Sequence, residues 1–403
     1  MCKLTGRHKN LGDKMKPRTT MTYLDHGATS YPKPDGVIEA YYEYAKNIGA
    51  SPARGGYATA LEAGRLIFKT RSLLAQLFHV EDPSRIIFTK NATEALNLVF
   101  FGLLKHGDRV VTTRMEHNAV IRPLIELQRR GVIEVFWANS TQDARLDLDH
   151  LFELAKKPGV KLVVTTGICN ATGVILPIRE IGKFCREHDL IYLVDGAQLA
   201  GVYPVNVEED MIDLLAFTGH KGLYGVPGTG GLYIGERVQK LRPLLFGGTG
   251  TRSDLETMPE DMPDRFEAGT PNTPGIVALG KGVEWVLSYG VDKIHEHKVR
   301  LLNIMHEGLK DFEDIRLFGP QGTEERTAIV PVIFDRLSPR AAAKRLWDNF
   351  MIAIRAGLHC APHIHFDLGA PEGTARFSFG ANNTEEDAQY AVYAIKEVAK
   401  ESR

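Results

Sequence analysis

The sequence predicts an α/β fold, in which a mainly parallel sheet is covered by helices on both faces and is followed by a smaller α+β domain. Short, nearly all-apolar runs recur along the chain, helical patterns lie between several of them, and the pattern changes after about residue 275. Strands that are buried on both faces of a parallel sheet read as continuous apolar runs. The length of 403 residues allows two domains.

Six apolar runs predict the strands of the larger domain. They are RIIFT (85–89), RVVTT (109–113), KLVVTT (161–166), IYLVD (191–195), LLAFT (214–218) and GGLYIG (230–235). Helices are predicted after Asn91, after Asn118 and after Ile178. Strands that alternate with helices in this way indicate a parallel sheet with crossover helices.

Beyond residue 275 the pattern predicts a long helical stretch over 276–312. The later elements are AIVPVIF (328–334), a helix over 338–349, MIAIRAG (351–357) and RFSFG (376–380). A terminal helix begins at Thr384, where Asp387 takes the place of the Glu of a capping box. Its apolar stripe consists of Ala388, Ala391, Val392, Ile395 and Val398.

The predicted domain organisation follows from these elements. We expect residues 34–275 to form the large domain, and 21–33 with 276–403 to form the small one. Residues 1–20 contain six Lys or Arg and one Asp, with no apolar segment of the kind a secretory signal requires. They predict a disordered extension, and the absence of a clear amphipathic pattern disfavours a transit peptide.

Charge and cysteine content exclude several classes of protein. Lys and Arg number 49 against 50 Asp and Glu, giving a net charge of −1. Nucleic-acid wrapping and charge-held membrane binding both need a basic excess. No apolar run reaches the roughly eighteen residues of a membrane span. The four cysteines, at 2, 169, 185 and 360, form neither a C-x-x-C pair nor a metal-ligand spacing, and they indicate a reducing, cytoplasmic setting.

Two charged residues follow predicted strands of the large domain. Asp195 ends an apolar strand, where its carboxylate can hold a cationic ring nitrogen or cap a helix start. Lys221 lies in a Gly-rich turn after the 214–218 strand. Burial would make its amine a nucleophile able to form a Schiff base, whereas a lysine seen alone is by default a surface residue.

Two further strand ends carry candidate ligands. The turn Asn91-Ala92-Thr93 opens a helix whose free N–H groups suit a phosphate, although Asn91 can equally be an ordinary N-cap with Glu94 in the first turn. His117 follows the 109–113 strand. It can lie against a flat ring, act as an acid or base, or cap the next helix.

Cys360 lies between His359 and Pro362 in a loop of small residues. A neighbouring His and backbone N–H groups can favour the thiolate, the nucleophilic form, although most single cysteines are small buried thiols. Three His and one Cys occur within seven residues, but their spacing matches no structural zinc site, so no metal is predicted.

Taken together, these segments indicate one cofactor. A pyridoxal-phosphate (PLP) site needs an Asp for the pyridinium nitrogen, a Lys for an imine, a helix start for the phosphate and a His that stacks on the ring.

The chain also contains the motifs LDHGATSYPKP (24–34), EHNAV, CNATG, DGAQ, TGHKGLYG, FEAGTPNTPG and RAGLHCAP. With these motifs the chain resembles the class V aminotransferase superfamily, and within it the NifS-like, SufS-like (group II) cysteine desulfurases. The resemblance implies the aspartate aminotransferase-like fold (fold type I), with a seven-stranded, mainly parallel sheet.

The resemblance also implies a role for each matching residue. Lys221 would carry PLP as an imine, Asp195 would keep its ring nitrogen protonated, and His117 would stack on the ring. The other cofactor contacts would come from Ala92, Thr93, Asn170, Gln198, Thr218, His220 and Thr270, the last reaching the phosphate of the partner subunit in a homodimer. The substrate would be held by Asn170, Arg376, His26 and Ala28.

The implied activity is removal of sulfur from L-cysteine, which yields L-alanine and a persulfide on Cys360. The persulfide would pass to an acceptor protein, for example in iron–sulfur cluster assembly, with no nucleic-acid or membrane partner. One alternative is a selenocysteine lyase, which depends less on Cys360. An aminotransferase, epimerase or kynureninase-like enzyme needs no such cysteine. A catalytically idle scaffold of a sulfur-handling complex would show no imine absorbance.

Overall fold

A computed structural model describes residues 17–52, 55–320 and 322–402. Most of the predicted disordered extension, residues 1–20, lies outside these ranges. The described end of that segment differs from the prediction, because Arg18 is anchored on the terminal helix. Its backbone N–H donates to the Tyr390 hydroxyl at 2.9 Å and its guanidinium contacts Asp387 at 2.5 Å. A basic residue is thus held by the acidic first turn of that helix.

Strands and helices alternate from β2 to β6, three strands then follow one another up to residue 234, and the rest of the chain is mainly helical. In order, the elements are β1 (Thr22–Tyr23), α1 (Val37–Glu43), α2 (Ala58–Phe78), β2 (Ile86–Thr89), α3 (Ala92–Leu103), β3 (Asp108–Thr113), α4 (Asn118–Arg129), β4 (Ile133–Ala138), α5 (Leu148–Ala155), β5 (Val160–Thr166), α6 (Ile178–Glu187), β6 (Ile191–Asp195), β7 (Leu214–Thr218), β8 (Gly230–Ile234), α7 (Thr273–Tyr289), α8 (Val291–Leu309), β9 (Ile315–Leu317), β10 (Ile329–Phe334), α9 (Pro339–Phe350), β11 (Ile352–Ala353), β12 (Arg355–Gly357), α10 (Pro362–Asp367), β13 (Thr374–Ser378) and α11 (Glu385–Lys400).

The large sheet has seven strands in the order β2-β8-β7-β6-β5-β3-β4. β8 is antiparallel to both neighbours, and the other pairs are parallel. This confirms the mainly parallel seven-stranded sheet. Its core fills both faces, as the apolar runs predict. β4 was not predicted, because this edge strand is partly exposed and does not read as an all-apolar run.

The helical stretch predicted over 276–312 corresponds to two helices, α7 and α8. They are separated by Gly290, whose φ of +93° is a backbone conformation that other residues rarely adopt. The predicted helical stretch is confirmed, and the glycine marks the break within it.

A second, fully antiparallel sheet follows, with the strand order β12-β13-β10-β9. The capping box of α11 is confirmed, since Thr384 accepts a bond from the Asp387 N–H and Asp387 accepts one from the Thr384 N–H. The predicted stripe of α11 faces the core of this unit, with Val392 only partly buried. The two sheets come from separate stretches on either side of residue 275, while the predicted domain boundaries themselves stay a prediction.

Two features of this fold create the site. The carboxyl ends of β5, β6 and β7 lie side by side. β1 pairs with β11, so that the segment after Tyr23 runs between the two sheets. Ligands of open α/β sheets bind at the carboxyl ends of parallel strands.

Among the described residues, no helix has the length and apolar character to cross a bilayer.

Candidate active site

A cavity of about 260 Å³ opens at the carboxyl ends of the parallel strands. Most of the predicted site residues line it: Ala28, Ala92, Thr93, His117, Asn170, Asp195, Gln198, Thr218, His220, Lys221, Cys360 and Arg376. They come from segments as far apart in the chain as residues 28 and 376. The sequence-predicted residues therefore meet in one place.

Asp195 ends β6 and is only 2% exposed. Its Oδ1 accepts a hydrogen bond from the Ala197 N–H at 3.0 Å, so Asp195 stabilises the turn that follows β6 and does not cap a helix. Burial raises the pKa of Asp195, while the Ala197 N–H and the charge of Lys221 oppose the rise. No described Lys, Arg or His pairs directly with its carboxylate, which leaves Asp195 able to bind a cation in the cavity.

Lys221 lies in the turn after β7 and faces the cavity. Burial, with smaller contributions from Arg376 and Arg355, lowers the pKa of its amine to about 8, against the opposing charges of Asp195 and Cys360. A substantial share of the amine is thus neutral near physiological pH. This is the form that attacks an aldehyde or removes a proton.

The phosphate turn has the predicted shape. Asn91 caps α3 through its Oδ1, which accepts from the Glu94 N–H at 3.0 Å. Thr218 adds a buried hydroxyl with no hydrogen-bond partner in the described structure. Gly230 of β8 allows the turn to approach closely, because a Cβ there would lie 2.7 Å from the Cα of Asn91. A helix start beside an unpaired hydroxyl suits a phosphate.

His117 and His220 are both neutral. Burial and then the charge of Lys221 lower the pKa of each ring to about 4. The Nδ1 of His117 accepts from the Ala119 N–H at 3.0 Å, so its proton is on Nε2. His117 therefore caps α4 and also lines the cavity, so the capping interpretation is confirmed, while contact with a flat ring stays a prediction.

The Cys360 loop is held in an unusual backbone conformation. His359 and Cys360 both have positive φ, at +49° and +59°. The Asn118 N–H donates to the Cys360 carbonyl, and the Asn170 side chain donates to the His359 carbonyl, both at 2.6 Å. The thiol is exposed, which excludes the buried-thiol interpretation. Non-glycine residues in this region store strain that the surrounding contacts must compensate.

The histidines near Cys360 do not assist it as expected. His359 is buried, and its Nε2 contacts the Thr374 hydroxyl at 3.0 Å. Burial, followed by the charge of Arg376, lowers the pKa of His359 to about 2, so it supplies no positive charge to the thiolate. His363 packs on Trp137 and His365 on Phe318. The cations that line the cavity with Cys360 are instead Lys221, Arg355 and Arg376.

Arg376 is buried and oriented by two contacts. Its Nη1 donates to the Asn170 carbonyl at 2.9 Å, and its Nη2 to Asp25 Oδ1 at 3.2 Å. Its Nε has no partner in the described structure. Gly27 leaves room for this side chain, since a Cβ there would lie 3.0 Å from the guanidinium Nη2. Gln198 is fixed by donating to the Gly27 carbonyl at 2.8 Å.

Two predicted residues lie outside the cavity. His26 is buried and lines a small neighbouring cavity of about 20 Å³, packed on Tyr23 and Gly380, and its substrate contact stays a prediction. Thr270 is exposed in a separate groove, and its contact with a partner subunit stays a prediction.

Sequence reasoning missed Asp25 and Arg355. Asp25 contacts both Arg376 and Arg355. The Nε of Arg355 lies 3.4 Å from the Oδ2 of Asp25. Both residues lay inside quoted motifs, LDHGAT and RAG, but their partners are more than 300 residues away. A larger surface groove of about 700 Å³ beside His79 and Tyr203 contains none of the predicted residues.

The cavity fits the cofactor that the resemblance implies. Asp195 provides an anion for a ring nitrogen, Lys221 an amine for an aldehyde, and the α3 start with Thr218 a phosphate site. The cavity volume, about 260 Å³, lies just below the usual range of small-molecule sites, about 300–1,000 Å³.

Comparison with known proteins gives a consistent set of matches. A family model described as aminotransferase class-V matches residues 22–390. A probable cysteine desulfurase of Pyrococcus abyssi is 36% identical, over 94% of this chain and 95% of that relative. The apo structure of a cysteine desulfurase from Thermococcus onnurineus NA1 is 33% identical, with a TM-score of 0.89 over 94% and 95% of the two chains. The cysteine desulfurase CsdA from Escherichia coli is 28% identical, with a TM-score of 0.84 over the same shares.

Proposed function

The chain belongs to the class V aminotransferase family and to its cysteine desulfurases, and on that premise we propose that it binds PLP and converts L-cysteine to L-alanine, with the sulfur passing to Cys360. The observation that carries the proposal is the single cavity lined by Lys221, Asp195 and the exposed Cys360 thiol. When bound, PLP supplies an electron-withdrawing ring that stabilises negative charge at the substrate α-carbon.

Arg376 orients the substrate. Its guanidinium is already held at two points by Asn170 and Asp25, so little side-chain entropy is lost when it binds the substrate carboxylate. The free Nε–H lies on the same planar group and can contribute to a two-point contact. Substrate is thereby fixed between Lys221 and Cys360.

Lys221 moves the α-proton. Because burial lowers its pKa to about 8, the Nζ atom can accept a proton near neutral pH and return it later. His117, neutral with its proton on Nε2, can donate a hydrogen bond into the cavity without adding positive charge beside Lys221.

Cys360 accepts the sulfur. Its thiolate attacks the substrate sulfur, an S–S bond forms, and the substrate C–S bond breaks. The electron pair of the broken bond stays with the carbon fragment, which takes up a proton and leaves as alanine. The covalent step divides a difficult displacement into two easier ones. The positive charges of Arg355 and Arg376 stabilise the attacking thiolate.

Partners and location belong to the same proposal. The exposed thiol supports transfer of the persulfide to an acceptor protein. Leu245 and Phe246, 49% and 75% exposed and adjacent to the groove that contains Thr270, support a homodimer in which Thr270 reaches the partner's phosphate. The free thiols Cys169 and Cys185 fit a reducing, cytoplasmic setting.

Product analysis tests the proposal. The PLP-loaded protein is incubated with L-cysteine, alanine is counted, and peptides are searched for about 32 Da added on Cys360, the mass of one persulfide sulfur. Cys360→Ala should stop alanine formation and keep the cofactor absorbance, while Cys2→Ala is the control. Pyruvate or glutamate as product, or full activity of Cys360→Ala on cysteine, would contradict the proposal. Activity of that variant on L-selenocysteine alone would indicate a selenocysteine lyase, and no imine absorbance would indicate an idle scaffold.

A further inference from the structure

Glu116 is a fully buried acid immediately before His117. Its Oε1 accepts two hydrogen bonds, from the Thr113 hydroxyl at 2.6 Å and from the Thr166 N–H at 3.0 Å. Its Oε2 is buried with no partner in the described structure. One oxygen of this carboxyl is therefore well bonded, and the other is not.

The two bonded groups connect the His117 turn to the strand beside Asp195. Thr113 ends β3 and also accepts from the Met115 N–H at 3.1 Å. Thr166 ends β5, lies opposite Asp195 in the sheet register, and lines the cavity. The Glu116 carboxyl thus bridges the elements that carry two of the proposed cofactor contacts.

An ionised carboxylate does not fit this position. A buried oxygen without a partner would carry negative charge close to Asp195, which is costly in a low-dielectric interior. Burial raises the pKa of Glu116 to about 8, and the charge of Asp195 adds to the rise, against the bonds from Thr113 and Thr166. The other titratable neighbours, Cys169 and Tyr192, have raised pKa values and are neutral.

We propose that Glu116 is a positioning residue that acts as a neutral carboxylic acid, protonated on Oε2. It holds the turn of His117 at a fixed distance from the strand of Asp195 and leaves Asp195 as the anion of the site. The positioning of cofactor contacts rests on the proposed function, whereas the protonation can be tested on the protein without PLP.

The first test compares Glu116→Gln with the parent protein, both without PLP. Glutamine keeps the size and the acceptor oxygen but cannot ionise. In the parent, folding retains a proton that the unfolded chain loses above its ordinary pKa of about 4.5. The free energy of unfolding of the parent, relative to that of Glu116→Gln, must therefore fall as pH rises from about 5 to 8, and then level off. We expect the Tm difference to change by several degrees across this range. A constant difference would overturn the proposal, because Glu116 would then be ionised in the folded protein.

The second test uses the PLP-loaded protein. Glu116→Gln should retain at least a third of kcat/KM, whereas the shorter Glu116→Asp should lose tenfold or more and shift the pH midpoint of the cofactor absorbance. A tenfold or greater loss of kcat/KM in Glu116→Gln would overturn the neutral acid, because glutamine keeps the size and the acceptor oxygen and removes only the ability to ionise. If Glu116→Asp does not fold, Thr113→Val, which removes one of the two donors, is measured in its place. If neither the parent protein nor any variant binds PLP, the proposed function is contradicted. The Tm comparison without PLP then decides the proposal for Glu116 by itself.

Discussion

Replacement of Arg376 by lysine tests how the substrate carboxylate is recognised. The variant keeps the positive charge and its attraction to Asp25, but it cannot present two parallel N–H donors to a carboxylate. Arg376 is 2% exposed and is oriented by Asn170 at 2.9 Å and by Asp25 at 3.2 Å. A lysine at this position retains one point of attachment at most.

The size of the effect follows from the lost contact. A hydrogen bond that involves a charged group contributes about 1.5–3 kcal/mol. Each 1.4 kcal/mol or so corresponds to a factor of ten. Loss of one such bond therefore raises KM for L-cysteine by roughly 10- to 150-fold. Because the carboxylate is bound similarly in the ground state and the transition state, kcat should fall much less than kcat/KM.

Alanine formation at varied L-cysteine concentration measures this split. Arg355→Lys is the matched control, since Arg355 is half-exposed, contacts the same Asp25 and lines the same cavity. We expect its KM to change less than threefold. A KM within threefold of the parent for Arg376→Lys, or a larger effect of Arg355→Lys, would refute the assignment. Thermal unfolding of both variants checks that the fold is retained.

Three other predictions concern the cofactor cavity and the helix break. Asp195→Asn should lower kcat by roughly a hundredfold, because a fixed charge in a buried site is lost; measured kcat within tenfold of the parent would contradict its role. The rate at which PLP condenses with the protein that lacks it should fall as pH drops below about 8, where the free Lys221 amine becomes protonated; a midpoint near 10 would mean that burial does not perturb this amine. Gly290→Ala should cost about 1–3 kcal/mol in urea unfolding, because φ of +93° is strained for alanine; a cost below about 0.5 kcal/mol would show that the backbone relaxes.

The strands of the large sheet could be predicted from the sequence because burial on both faces removes polar residues from them. β5, β6 and β7 agree with their apolar runs to within one residue. β4 and β9 were missed, since both are edge strands and expose part of their length. The sequence pattern depends on burial, so it weakens wherever a strand has solvent on one side.

The residues of the site that lie at or just after strand ends could be predicted from the sequence. Asp195 and Lys221 stand out because a charged residue directly after an apolar strand is unusual. Arg355, Asp25 and Glu116 act through contacts with groups elsewhere in the fold, and no local pattern distinguishes them. His26, a motif residue, lines the small cavity beside the larger one, and its substrate contact stays a prediction.

The identity of the lysine that carries the cofactor tests the central claim most directly. The protein is mixed with PLP, reduced with borohydride and digested, and the labelled peptide is identified by mass spectrometry. The proposal predicts one label per chain, on Lys221, and loss of that label in Lys221→Ala. Burial also lowers the pKa of the Lys33 and Lys298 amines to about 8, so these are the competing sites. A label on either of them, or no label at all, would contradict the proposal.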